Sequence, residues 1–227
     1  MYWTQIKELG EWIENLEENH LMIKKANSVG GFGVRKLDVI RDKGLIYING
    51  KELKEAFQSL KKYDLLEEFV VQHEKLNRLN PSCLNTIRVV TIIDKFDKVN
   101  ILGAVLRLGV NNDKDNFHSG GIAVNIDVNT GCLSGDGFKL APSEPEFFPK
   151  HPITQVVLDA YSLPHWDLLI NTVKKASCIF PQARTIGWDV AITPHGLSLI
   201  EGNHDWNKLI MEKAFKRGIR KELETYL

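Results

Sequence analysis

Cysteine is scarce in this 227-residue chain: Cys83, Cys132 and Cys178 are scattered, odd in number and never spaced Cys-x-x-Cys. That pattern excludes a disulfide framework and a thiolate zinc site, and it points to a reducing compartment. Excess charge of either sign is missing too. Lys plus Arg and Asp plus Glu each total 29, so no overall basic field argues for nucleic acid or an anionic membrane, and any polyanion must be held locally. No apolar run reaches the roughly 18 residues of a membrane span, and residues 1–20 are too acidic and amphipathic for a secretory leader. The expected location is the cytoplasm. With 43% hydrophobic residues the chain can bury the core of one large domain or two small ones.

Residues 2–19 put Ile6, Leu9, Ile13 and Leu16 on one helical stripe that Gly10 interrupts. "HLMIKKA" reads as a short strand and "NSVGGFGV" as a glycine loop, while "VRKLDVI", "RDKG" and "LIYING" read as strand, turn and strand closed by Asn49-Gly50. Leu53, Ala56, Phe57 and Leu60 mark an amphipathic helix, and "EEFVVQH", Glu67 to His73, predicts a strand followed by a polar connection. The main internal boundary falls near residue 75, giving parts 1–75 and 76–227. In the second part "NTIRVVTIID", "KFDK" and "VNILGAVLRLGV" predict a hairpin, and the prolines between Leu140 and Pro164 exclude regular structure there. Trp166, Leu169, Ile170, Val173 and Ala176 form another helical face, and Leu209 to Leu223 suggests a closing helix. Helices and strands mix without strict alternation, so the expected class is α+β.

The stretch "TIGWDVAITPHGLSLIEGN", Thr185 to Asn203, reads as a hairpin with acids among its apolar residues. Residues two apart on a strand face the same way, so Glu201 and Asn203 share a face. A three-residue Pro194-His195-Gly196 loop would pair Thr193 with Leu197 and set Asp189 opposite Glu201. Like charges at cross-strand distance repel unless something neutralises them. A bound Mg2+ does so, because carboxylates and an amide oxygen are the hard ligands it takes, with waters and phosphates completing the shell. The same spacing also suits a hairpin whose acids are merely solvated.

Lys24 stands just before the glycines at 30, 31 and 33, whose backbone N–H groups can approach an anion. The pattern is neither a Walker loop nor a dinucleotide fingerprint, since strand and not helix follows Gly33. It suits a flap over a triphosphate; on this segment alone a plain hairpin turn is the more usual reading. Arg88 and Arg107 lie on neighbouring apolar strands, where two planar guanidinium forks suit phosphate or carboxylate, although each alone could be an ordinary surface arginine. "DNFHSGG" adds Asn116, His118 and two glycines; a lone histidine is more often structural than catalytic.

Taken in order, a strand lysine, a Gly-Gly-x-Gly flap, "EEFVVQ", an arginine strand, an Asn/His/Gly-Gly loop, and Asp followed twelve residues later by Glu-x-Asn resemble the ATP-grasp superfamily. Within it, "NTIRVVT", "LRLG", "DNFHSGGIAVNID" and "GWDVAITPHGLSLIEGN" look most like the sugar-transfer-associated proteins of bacterial polysaccharide gene clusters. A more distant similarity is to glutamate ligases that modify ribosomal protein. The likeness spans roughly residues 20–205.

The resemblance implies an ATP-grasp fold of two α+β subdomains gripping a nucleotide, with the usual N-terminal α/β domain missing or supplied by a partner or second copy. It implies that Lys24 contacts the phosphates, that Gly30, Gly31 and Gly33 cover them, and that backbone at Val70, Val71 and Gln72 holds adenine, with Asn116 nearby. Arg88, Arg107 and His118 would serve catalysis, and Asp189, Glu201 and Asn203 would hold Mg2+, or Mn2+ in its place. The implied chemistry phosphorylates a small or sugar-linked carboxylate to an acyl phosphate that an amine or other nucleophile then attacks. Phosphorylation of a hydroxyl, or nucleotide binding without catalysis, are the alternatives. Lys25 stands where this superfamily often has proline, and "HDWN" follows Asn203 where many ligases have a proline-glycine turn.

Overall fold

The computed structural model describes residues 6–25, 34–60, 65–110, 120–139 and 145–226. The chain divides into two compact units, Met1–Phe69 and Val70–Leu227.

In the first unit α1 (Ile6–Glu14) buries Leu9 and Ile13 as its apolar spacing requires. Arg41 ends it from outside the helix, donating from Nη2 to the Ile13 carbonyl at 2.7 Å and the Leu16 carbonyl at 3.2 Å. A guanidinium on the last carbonyls satisfies groups that the helix itself leaves open. The strands β1 (His20–Lys24), β2 (Arg35–Asp42), β3 (Leu45–Ile48), β4 (Lys51–Glu52) and β5 (Leu65–Glu68) form an antiparallel sheet in the order β4-β3-β2-β1-β5. The strand expected over Glu67 to His73 is therefore shorter and earlier, ending at Glu68. α2 (Leu53–Leu60) lays Leu53, Ala56, Phe57 and Leu60 into the same core as Leu21, Ile23, Leu37, Val39 and Leu66.

The second unit opens with α3 (Glu74–Leu79), in the segment expected to be a polar connection. It buries only Leu76 and Leu79, and the His73 side chain accepts from the Lys75 N–H at its start. Its sheet is β6 (Thr86–Ile93), β7 (Val99–Leu108), β8 (Ile122–Ile126), β9 (Leu133–Lys139), β10 (Glu146–Phe148), β11 (Thr185–Thr193) and β12 (Gly196–Asn203), in the order β10-β9-β8-β7-β6-β11-β12. β10 is a three-residue strand inside the proline-rich stretch expected to be irregular; it pairs at the sheet edge with β9, where few ladder bonds are needed. Every residue of β6 is buried. That follows from helices on both faces, which make the strand a continuous apolar run instead of an alternating one.

On one face α4 (Trp166–Ile179) packs Trp166, Leu169 and Val173 against Ile87, Val89, Ala104, Leu106 and Val190. Gly131 permits this, since its φ is +72° and a Cβ there would lie 2.4 Å from Trp166 Cγ. The opposite face carries α5 (Lys208–Phe215) and α6 (Arg220–Glu224), two helices where one closing helix was expected. Ile210, Met211 and Ile219 meet Val90, Leu102, Val105 and Phe138 there. No helix among the described residues is long and apolar enough to cross a membrane.

Candidate functional site

The site grows from strand alternation on three neighbouring strands of the second unit. Ile87, Val89, Leu106 and Val190 point to the α4 side, so Arg88, Arg107 and Asp189, one residue out of step, point to the α5 side. Register brings them level. Asp189 sits directly opposite Arg88 on β6, and on its other side opposite Glu201 on β12.

The Asp189–Glu201 pairing is reached by a different route from the one the sequence suggests. The β11–β12 turn is a two-residue Pro194-His195 loop, so Thr193 pairs with Gly196 and not with Leu197. That register alone would slide Asp189 one residue off. A bulge between Asp189 and Val190 inserts the missing residue, so that Val190 faces Leu199 while Asp189 faces Glu201. An extra residue on one strand re-aims the side chains beyond it, a use of bulges that recurs near functional sites.

Asp189 is 1% exposed, and its charge is neutralised from within the chain. Arg88 grips it in a two-pronged fashion, Nε on Oδ1 and Nη2 on Oδ2 at 2.8 Å. Arg107 Nη2 reaches Oδ2 at 2.7 Å, and its Nε donates to Thr86 Oγ1 at 3.0 Å. The third nitrogen of Arg88, Nη1, donates to the Trp206 carbonyl at 3.2 Å. Gly187 makes room for that contact, since a Cβ there would lie 2.3 Å from Trp206 Cβ. Burial acts to raise the Asp189 carboxyl, but the Arg88 hydrogen bonds and the Arg107 charge outweigh it and hold the group below the usual carboxylate range.

Glu201 behaves in the opposite way. Burial of its carboxyl raises it above the ordinary value, and the hydrogen bond to Asp189 adds to this, while the Asn203 amide works the other way. Asn203 Nδ2 donates to Glu201 Oε1 at 3.1 Å and to the Gly187 carbonyl at 3.4 Å. A carboxylate has about four acceptor sites. Three of those of Asp189 are taken, two by Arg88 and one by Arg107. The hard oxygens that could hold a divalent cation are therefore those of Glu201 and the Asn203 amide, with Asp189 able to add at most about one acceptor site more. Among the described residues no cluster of three His, Cys, Asp or Glu side chains forms a metal cage.

Arg88, Arg107, Asp189, Glu201 and Asn203 thus form one connected cluster. Lys24 belongs to the first unit, where its Nζ lies 2.7 Å from Glu67. Val70, Val71 and Gln72 lie in no strand or helix; Val71 is 38% exposed, whereas Gln72 is buried with its amide fully engaged. Gly30, Gly31, Gly33, Asn116 and His118 lie outside the described residues. Sequence reasoning missed Thr86 and Trp206, which brace the two arginines. The only signal for them is proximity to motif residues, Thr86 two before Arg88 and Trp206 three after Asn203.

Residues 2–226 match the family described as sugar-transfer associated ATP-grasp. The chain belongs to that family. No curated protein matched it in sequence. Among solved structures, N5-carboxyaminoimidazole ribonucleotide synthetase in its ADP complex is 12% identical, with a TM-score of 0.46 over 87% of this chain and 37% of that one. The biotin carboxylase domain of Hydrogenobacter thermophilus 2-oxoglutarate carboxylase, with MgADP, ADP and bicarbonate, is 15% identical, with a TM-score of 0.45 over 96% and 41%. This ATP-grasp chain spans well under half the length of either.

Proposed function

We propose that this ATP-grasp chain is an ATP- and Mg2+-dependent carboxylate ligase acting on a small or sugar-linked acid in cell-surface polysaccharide metabolism. The observation that carries the reading is the Asp189–Glu201–Asn203 arrangement beside two arginines on one sheet face. Glu201 and Asn203 are the proposed Mg2+ ligands, with Mn2+ suited to the same oxygens. The ion, when bound with ATP, supplies neutralisation of phosphate charge.

The chain's own residues have separable tasks. Arg88 and Arg107 together keep Asp189 ionised and aimed, and Arg107, the more exposed of the two, is the proposed contact for the anionic substrate. Lys24 is the proposed phosphate contact, the segment Val70 to Gln72 the proposed base contact, and Gly30 to Gly33 the proposed flap that keeps water from a reactive intermediate. A substrate carboxylate oxygen attacks the γ-phosphorus, the bond to the β-phosphate bridging oxygen breaks, and ADP departs. A nucleophile then adds to the carbonyl carbon of the acyl phosphate, loses a proton to solvent and expels phosphate.

Product analysis tests this. Incubation with ATP, Mg2+ and a panel of sugar acids with amines is expected to yield ADP, phosphate and an amide in equal amounts. A stable phosphoester would make the protein a kinase, and tight ATP binding with no ADP formed from any acceptor would make it a nucleotide-binding module.

A further inference from the structure

The segment Val70–Gln72 has no strand or helix to hold it, yet it is fastened by a buried cluster of three amides. Gln72, Asn80 and Asn85 are 7%, 3% and 1% exposed. Three amides in a core are costly unless each polar atom is matched, and here they are. Gln72 Nε2 donates to Asn77 Oδ1 at 2.7 Å and to the Asn80 and Cys83 carbonyls, both at 3.0 Å. Gln72 Oε1 accepts from the Asn85 backbone N–H at 3.0 Å and from Asn85 Nδ2 at 2.9 Å.

Asn85 spends its other end elsewhere. Its Oδ1 accepts from the Gly109 N–H at 3.2 Å, and the Gly109 carbonyl accepts from Nε2 of His151, a fully buried histidine, at 2.9 Å. His151 Nδ1 accepts from the Ile153 and Thr154 N–H groups at 3.3 and 3.2 Å, which sets the neutral form with the proton on Nε2. Gly109 is thus pinned on both sides of its peptide, two residues after Arg107 on the same chain.

Apolar side chains would fill this volume without the need to satisfy so many polar atoms. What the amides add is direction, because a hydrogen-bonded network allows one arrangement where a leucine cluster tolerates several. We infer that Asn85 is a positioning residue. It ties the proposed base-contacting segment Val70–Gln72 to the Arg107–Gly109 strand end, so that the backbone offered to the base is held in one position. This rests on the reading of Val70–Gln72 as the base contact.

The experiment measures dissociation constants for ATP, GTP and inorganic tripolyphosphate, each with Mg2+, at a temperature far below unfolding. It compares wild type with Asn85→Ala and with Gln72→Met, which keeps the volume and removes the amide. Wild type is expected to prefer ATP to GTP and to tripolyphosphate. Both variants are expected to lose about tenfold in ATP affinity, the worth of one or two misaligned hydrogen bonds, to bind ATP and GTP alike, and to hold tripolyphosphate within about twofold of wild type. A merely structural role lowers the melting temperature and leaves the base preference intact. That result, or an equal loss for ATP and tripolyphosphate, overturns the assignment, and should Asn85→Ala fail to fold, Gln72→Met alone decides it. A wild type that does not distinguish ATP from tripolyphosphate is a separate failure, of the base-contact reading itself.

Discussion

Two ion pairs in this chain use the same Coulomb attraction in different surroundings. Lys24 and Glu67 meet at 2.7 Å with side chains 23% and 45% exposed, whereas Asp189, 1% exposed, is held by Arg88 and Arg107 with exposures of 8% and 14%. Water screens the first pair, and parting it costs little. The second has no water to fall back on, so each group depends on the others. The difference teaches which parts of the proposed site can move. A lysine in a weak pair is able to exchange Glu67 for a phosphate, while the Arg88–Asp189–Arg107 cluster is a fixed frame on which Glu201 is set.

The sharpest way to break this comparison is to remove one charge from each pair. Asp189→Ala strands two nearly buried guanidinium groups, and a loss of about 3 to 5 kcal/mol of stability is expected, read as a lower denaturant midpoint with unchanged slope. An effect under about 1 kcal/mol, the range of exposed pairs, would show that the frame is not buried as described.

A smaller effect sharpens the contrast between Asp189 and Glu201, whose carboxyls shift in opposite directions. A carboxyl raised when folded binds its proton more tightly in the native state, so Glu201 contributes stability that is lost as pH rises above its ordinary value of 4.5. Asp189, lowered when folded, contributes stability that is present above its ordinary value of 3.8 and is lost as pH falls below it. Glu201→Gln, which retains a donor toward Asp189, is expected to flatten the stability profile above pH 4.5 and leave the acid limb unchanged. Parallel profiles for variant and wild type would contradict the upward shift of the Glu201 carboxyl. Smallest in stability is Lys24→Ala, expected to cost about 0 to 1 kcal/mol and yet to weaken ATP binding by about tenfold or more, the strength of a charged contact. Unchanged affinity would remove Lys24 from the site.

How much of this was legible depends on the range of the interaction. That Glu201 and Asn203 share a face follows from alternation along one strand, and the stripes of α2 and α4 follow from helical spacing. The two-residue turn and the compensating bulge were not legible, because Pro194-His195-Gly196 suits either loop length and only tertiary packing selects between them. Nor was the counter-ion. Arg88 lies 101 residues from Asp189 in sequence, so its pairing with that carboxylate leaves no local signal. Gln72, Asn80 and Asn85 resemble loop residues in sequence, and their burial depends on α3, whose two buried leucines leave almost no periodic signal.

In the proposed site Glu201 and Asn203 would hold a divalent cation beside the Arg88–Asp189–Arg107 frame. The measurement that tests it most directly is a calorimetric titration of ATP with Mg2+ and with chelator, for wild type and Glu201→Gln. Mg2+ is expected to tighten wild-type binding by at least about tenfold and to leave the variant, folded as before, at its metal-free affinity. Equal Mg2+ enhancement in both proteins would contradict the account.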